Sequence, residues 1–562
     1  MTTADGEARP TAEPVAGPGE WSIVAVHDVL AATVPQRDVV VCGDLRRSFG
    51  EVARRSRSIA AFFVSHGLGL HTERAALERW ECGQDVVALV LHNGVEYIEA
   101  MFGALRARAV PCNVNQHYRP GELRALLSDV GARAIVYHRR YGPLVEACGF
   151  GDVVLVDVDD GSGTVPLAGS TNFEDVASTP VGALPVPSPD DLYMVCTGGT
   201  TGRPKAVLWR QADIYVSAMA GTEGATAASI ADAARHGAGA GGPWYPVPPL
   251  MHAAAQWTAF CGLNQGATVV LHDDSGPFDA RTVLELAERE RVSLMSIVGD
   301  AYAGPIVEEL RRRPYDLSSL VLLGTGGAAT GEQHKAALLE LQPHLLINDG
   351  YGSSETGGMA FGARTRSGRQ EGFAPSQGAT VVSADRTRIL EPGEAEVGWT
   401  ARRGRVPLGY LGDREKTETT FPVIAGERFA IPGDRARLLE DGRILMLGRD
   451  ALVVNTGGEK VFIEEVEEVV RRHPDVADAL VIGRPSERFG QEVVAVVSPR
   501  PGARLDPGSV REFVAAEIAR FKAPRAVAVC DSVQRHANGK PDYRWAQRVA
   551  ATAQNVAGGA AR

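Results

Sequence analysis

Short apolar runs separated by stretches with helical spacing organise most of the chain. Val86 to Leu91 reads as a buried strand, and Val95 to Arg106 as the helix that follows it. Ala134 to Tyr137, Val153 to Val158, Thr268 to Leu271 and Leu320 to Leu323 are similar runs with helical patterns between them. Strands alternating with helices predict an α/β fold whose sheets are covered on both faces. The segment Gly221 to Gly242 is dominated by Ala and Gly and predicts a mobile surface insertion.

Beyond Gly448 the texture changes. Between Ile463 and Arg472, Ile463, Val466, Val469 and Val470 fall on one helical face, and Glu464, Glu465, Glu467 and Glu468 on the other. Ala479 to Ile482 and Val493 to Val497 read as strands, and Val510 to Ala519 as another helix. Together they predict a compact α+β unit of roughly 110 residues.

Composition narrows the class. The chain has 562 residues, 44% of them apolar and 23% charged, which excludes global disorder. At about 100–200 residues per domain, that length allows roughly three to five structural units. With 58 Lys and Arg against 69 Asp and Glu the net charge is −11, which argues against a nucleic-acid or anionic-membrane binder. The seven cysteines are odd in number, scattered and without a CxxC, as in a reducing cytosol. The 13 histidines form no paired metal spacing. Met1 to Glu20 lacks a signal-peptide pattern and reads as a disordered tail. No run of about 18 apolar residues exists, so no membrane span is expected and the predicted location is cytoplasmic.

Candidate chemistry centres on Tyr193-Met-Val-Cys-Thr-Gly-Gly-Thr-Thr-Gly-Arg-Pro-Lys205. A strand-like run enters a loop in which Gly198, Gly199 and Gly202 free backbone N–H groups to curl around phosphate oxygens. Thr197, Thr200 and Thr201 add hydroxyls and Lys205 a positive charge. The GK[ST] ending of a Walker A loop is missing.

This loop resembles the signature [ST]-[SG]-G-T-[ST]-G-x-P-K-G of the adenylate-forming superfamily, which contains acyl-CoA synthetases, peptide-synthetase adenylation domains and luciferases. Ala206 replaces the final glycine. Further motifs follow in the family's order. Gly350-Tyr-Gly-Ser-Ser-Glu-Thr-Gly357 resembles the adenine and magnesium motif. That resemblance implies Tyr351 and Gly352 against adenine, Ser354 at the α-phosphate or acyl carboxylate, and Glu355 on Mg²⁺, a cation that takes few carboxylates beside phosphate oxygens. Gly324-Thr-Gly-Gly-Ala-Ala329, with Gly327 and Ala328, resembles the loop flanking adenine. Ile431-Pro-Gly-Asp434 resembles the ribose-binding TGD motif with Pro432 for threonine, so Asp434 is the residue carried over. Gly448-Arg449 matches the family's GR pair. Asn455 to Phe462, with Gly458, resembles the glycine loop that admits the pantetheine thiol. Arg535-His-Ala-Asn-Gly-Lys540 resembles the loop of the C-terminal catalytic lysine, with Asn538 for the common Ser or Thr. The family's hinge position aligns with Ala451 rather than Asp450.

The resemblance implies a large N-terminal adenylation domain over 21–448 and a mobile catalytic domain over 449–550, with tails over 1–20 and 551–562. It also implies ATP, Mg²⁺ and CoA, with Thr201, Glu355, His252 and Lys540 closest to the chemistry. Pro248-Pro-Leu-Met-His252-Ala-Ala-Ala-Gln256-Trp257 resembles the acyl-binding motif, in which Ala253 and Ala255 stand where glycines are usual. The extra methyl groups predict a tunnel for a shorter or flat aromatic acid. PLMHAAAQW, Ser296 to Ala301, NTGGEKVF and Gly539 to Trp545 are similar to actinobacterial ligases of fatty acids and steroid side-chain acids. The expected partner is a small carboxylic acid, and both a monomer and a homodimer are compatible with the sequence. Lys522 and Arg525 are candidates for the CoA phosphates. An adenylating enzyme with another acceptor (an amide-forming ligase, or one activating nitrite) and a degenerate nucleotide-binding protein are the competing readings.

Overall fold

A computed structural model describes residues 19–198, 204–237, 241–328, 330–366, 368–369, 371–449, 453–456, 459–486, 490–518, 520–536 and 539–553. The fold is mixed α/β and separates into two compact units. One comprises residues up to Gly241 with Phe260–Thr268, the other Gly242–Ala259 with Val269 onward.

The first unit contains a parallel five-stranded sheet in the spatial order Val110–Asn113, Val86–Val90, Ala132–His138, Val154–Val158, Thr171–Asn172. The strand Val86–Val90 is buried along its whole length, which is why its sequence is an unbroken apolar run. The helix Val95–Arg106 follows it as predicted. Segment 221–242, expected as a mobile surface insertion, contains the helix Ala227–His236. Thr226 and Ser229 cap its start reciprocally, and Ile230 and Ala234 are buried. Its alanines serve as helix formers there. Glu20, assigned to the tail by composition, pairs with Arg210 at 2.7 Å.

In the second unit the strands Val269–Leu271, Trp244–Pro246, Leu294–Ile297, Leu322–Gly326 and Leu346–Ser353 run parallel, and Gly357–Thr365 closes the edge antiparallel. The apolar run at Leu320 to Leu323 sits early. Leu317 and Leu320 are core residues of the preceding turn, and the strand continues through Gly324, Thr325 and Gly326. Those small residues pair with Asn348, Asp349 and Gly350 in register. A second, antiparallel sheet holds Gly398–Arg403, Asp434–Leu438 and Ile444–Arg449 side by side.

The C-terminal sheet follows the period-two rule. Along Val476–Ser486, Ala479 and Val481 pack under the helices Ile463–Arg471 and Pro507–Glu517, while Leu480 and Ile482 pack against Tyr543–Ala550. One expectation fails here. Glu467 does not share the solvent face with its neighbouring glutamates; it is 2% exposed. It lies one turn after Ile463 on the buried side, where its carboxylate accepts the Val481 N–H at 2.8 Å. Burial pushes its pKa up, against the attraction of Arg471.

Candidate active site

In the first unit the phosphate-loop motif is carried by the antiparallel strands Leu192–Gly198 and Pro204–Arg210, in which Thr197 faces Lys205. Asn113 fixes the entry to the loop. Its Nδ2 donates to the Cys196 carbonyl and its Oδ1 accepts the Cys196 N–H, both at 2.9 Å. Gly199, Thr200, Thr201 and Gly202 lie outside the described residues, so the apex of the motif has no structural account.

The second unit brings several motif residues together. Tyr351 lies on Leu346–Ser353, and its hydroxyl donates to Asp434 and contacts Thr400 Oγ1 at 3.2 Å. The adenine and ribose motifs, 83 residues apart, thus meet at one hydrogen bond. Asp434 is 6% exposed, and Arg449 stands opposite it in strand register. Only the backbone of Arg449 belongs to the described structure.

The turn after Tyr351 is tightly built. Ser353 and Thr356 bond to each other across it, and a Cβ on Gly352 would collide with the Gly357 carbonyl oxygen. That geometry carries Ser354 and Glu355 on the hairpin tip. Tyr410 donates its hydroxyl to Glu355 Oε1 at 2.7 Å. Burial first, and then the adjacent Glu355 charge, push the Tyr410 pKa well up, so it remains the donor. Beneath the turn, the buried Arg402 donates to the Thr356 and Gly358 carbonyls at 3.0 and 2.9 Å, and desolvation lowers its pKa to about 10.

Across the parallel strands, a Cβ on Gly326 would lie 2.9 Å from the Gly350 carbonyl oxygen. Gly327 has φ +73° and packs beside Val298, with Ala328 half-buried after it. Asp349, two residues before Tyr351, accepts from Thr325 and pairs with the buried Lys335 at 2.5 Å. The hairpin bearing Lys540 reaches the same neighbourhood. Gly539, at φ +75°, would set a Cβ 2.9 Å from Ala301 Cβ and 3.8 Å from the Val298 carbonyl oxygen. Lys540 itself is exposed.

His252 is half-buried in the turn before the helix Ala253–Asn264, where the Gln256 side chain donates to the Leu250 carbonyl at 2.7 Å. Ala255 is buried and Ala253 half-buried. Gly458, Asp450 and Ala451 lie outside the described residues, between the strands Val453–Thr456 and Glu459–Phe462 or just before them. Lys522, a candidate for CoA phosphates, is held by Glu465 at 2.7 Å. The motifs gave no sign of Tyr410, Arg402 or Lys335, which act through contacts distant in sequence.

A single carboxylate fits Mg²⁺, which takes most of its ligands from phosphate and water. Glu355 offers that donor, already oriented by Tyr410. Among the described residues no group of three or more His, Cys, Asp or Glu could hold a metal.

This geometry belongs to an adenylate-forming enzyme. The family model described as AMP-binding enzyme matches residues 28–405, and the AMP-binding enzyme C-terminal domain matches 465–540. The chain belongs to this family and is an ATP-dependent ligase of the AMP-forming class. It is 43% identical to the medium-chain acyl-CoA ligase Mig of Mycobacterium avium, over 94% of this chain and 98% of that one. It is 38% identical to a medium/long-chain-fatty-acid–CoA/3-oxocholest-4-en-26-oate–CoA ligase of Mycobacterium tuberculosis (strain ATCC 25618 / H37Rv), over 92% of this chain and 93% of that one. Its fold is similar to that of the anthranilate CoA ligase AuaEII in complex with anthranoyl-AMP. The TM-score is 0.78 at 20% identity, covering 95% and 98% of the two chains. Among the described residues no helix is long and apolar enough to cross a membrane.

Proposed function

We propose that the chain joins a carboxylic acid of medium length to CoA, through an acyl-adenylate and with release of pyrophosphate. The observation that carries this reading is the seating of Gly539 on Val298 and Ala301, because Val298 also packs against Gly327 in the adenine-flanking loop. That contact supports the reading in which Lys540 serves the nucleotide side in the first half-reaction.

The chemistry is electrostatic. A carboxylate attacking the α-phosphate brings two anions together while charge grows on the leaving pyrophosphate. Lys540 and the segment Thr197 to Lys205, Thr201 included, supply donors and countercharge without forming a covalent bond. When bound, Mg²⁺ neutralises phosphate charge, and Glu355 is the residue that would hold it. Asp434 takes the ribose hydroxyls, Tyr351 and the glycines at 327 and 352 enclose adenine, and Arg449 and Ser354 serve the phosphate side. His252 borders the nascent adenylate. In the second half-reaction the C-terminal domain turns, withdrawing Lys540 and presenting the loop at Gly458 to the CoA thiol, a gating motion of an ordinary kind.

The length of the acid follows from Ala253 and Ala255, whose methyl groups narrow the segment after His252, and from likeness to a ligase named for medium chains. A pyrophosphate-release panel tests the reading, with octanoate, palmitate, a steroid side-chain acid, cinnamate, an aminobenzoate and nitrite, each with and without CoA. Best turnover with octanoate, dependent on CoA and yielding the thioester, is expected. Palmitate or the steroid acid as best substrate would overturn the chain length, and CoA-independent turnover would overturn the acceptor.

A further inference from the structure

The starts of two helices are stapled together. The Asp300 carboxylate, in the first turn of Gly299–Arg312, accepts the Gly331 N–H at 2.7 Å and meets His334 Nδ1 at 2.7 Å. His334 lies in the first turn of Glu332–Leu341. Ala301 follows Asp300 and Gln333 precedes His334, so these two residues border one stapled corner.

One end of the C-terminal sheet meets that corner at both residues. Gly539 packs on Ala301, where an added Cβ would come within 2.9 Å of the Ala301 Cβ. Arg500 donates from Nη2 to Gln333 Oε1 at 2.7 Å, a bond between side chains 167 residues apart. The two contacts share a base. Arg535 donates to the Gly539 carbonyl at 3.3 Å and holds both Asp478 oxygens at 2.7 Å. Asp478 in turn pairs in register with Ser498, two residues before Arg500. The Arg500 backbone is itself fixed, its N–H donating to the Asp475 carbonyl at 2.8 Å and its carbonyl accepting the Ala503 N–H at 3.0 Å.

A single contact leaves a domain free to swivel about it, whereas two separated contacts define its orientation. The Arg500 bond has a charged donor, which makes it stronger than a neutral one. It is also short-ranged, because a hydrogen bond weakens steeply once its geometry is lost. We propose that Arg500 is a positioning residue for the adenylation half-reaction. By bonding Gln333 it holds the C-terminal domain in the orientation that seats Gly539 on Ala301, and this bond breaks before thioester formation. The proposal rests on the reading that Lys540 serves adenylation and that the domain then turns to admit CoA.

Arg500→Ala removes the donor at an exposed position. In the full chain, ATP–pyrophosphate exchange is expected to fall about fivefold, the effect of one net hydrogen bond. Thioester formation from a synthetic acyl-adenylate and CoA stays at or above the parent rate. Gln333→Ala gives the same split, and the double alanine variant loses no more than either single one. In the double variant Gln333→Cys/Arg500→Cys, a short bis-maleimide linking the two positions should preserve exchange and abolish thioester formation. The parent and each single cysteine variant, treated alike, keep the thioester activity they had before treatment. Full exchange in Arg500→Ala, an equal fall in both half-reactions, additive losses in the double alanine variant, or unhindered thioester formation in the linked chain would each overturn the proposal. Full exchange in Lys540→Ala would instead overturn the reading of Lys540 on which it rests.

Discussion

The Tyr410 hydroxyl donates to Glu355 Oε1 at 2.7 Å, across 55 residues of sequence. A carboxylate with one oxygen pinned offers the other in a fixed direction, the condition for holding a hard cation beside phosphates. Tyr410→Phe is therefore expected to raise the Mg²⁺ concentration giving half-maximal pyrophosphate release by about tenfold, the effect of a hydrogen bond to a charged group. KM for the acid should stay at the parent value. A magnesium titration at saturating ATP measures this, and an unchanged midpoint would remove Tyr410 from the account.

Gly352 shows why the motif around Tyr351 is written in small residues. A Cβ there would overlap the Gly357 carbonyl oxygen across the hairpin, and the backbone itself is the obstacle. Gly352→Ala should cost about 1–3 kcal/mol or more by overpacking, read as a lower midpoint in urea. An unaltered midpoint would mean that the turn opens without cost.

The α/β class, the helix Val95–Arg106 and the order of the motifs were legible because each depends on spacing within a short window. Leu320 to Leu323 misled because apolar residues that fill a turn look like those that start a strand, and the strand proper continues in glycines. Glu467 misled for a related reason. Period counting assigns it a face, but whether a carboxylate there is paid by a backbone N–H depends on Val481, on another element. The site divides in the same way. Tyr351, Glu355 and Asp434 stand in contiguous motifs; Tyr410, Arg402 and Lys335 matter through contacts that no local pattern encodes.

His27 provides a test in acid. It is fully buried, its ring centroid 4.2 Å from that of Phe102, and its Nε2 has no hydrogen-bond partner among the described residues. Burial first, and then Arg106, lower its pKa from 6.5 to about 3, with Asp28 opposing. The folded pKa lies below the unfolded one, so the unfolded chain takes the proton first. The stabilisation is whole above pH 6.5 and is lost as pH falls toward 3. Between pH 6.5 and 4.5 the wild-type chain should lose about 2–3 kcal/mol relative to His27→Leu. Urea unfolding of both chains across that range measures it, and a constant difference would refute the assignment.

Glu467 has the opposite sign. Burial raises its pKa despite Arg471, the Val481 N–H and Tyr543, so the folded chain holds the proton more tightly than the unfolded one. The associated stability is whole below the unfolded carboxyl pKa of 4.5 and is lost as pH rises through the folded value. Glu467→Gln cannot ionise, and its amide oxygen can still accept from Val481. The difference in melting temperature, variant minus wild type, should therefore shift in favour of the variant as pH rises from 4 to 7. Background carboxylates cancel in that difference, because both chains share them. A shift in the other direction would mean that Arg471 and Tyr543 outweigh burial, and that the carboxylate stabilises the C-terminal sheet as an anion.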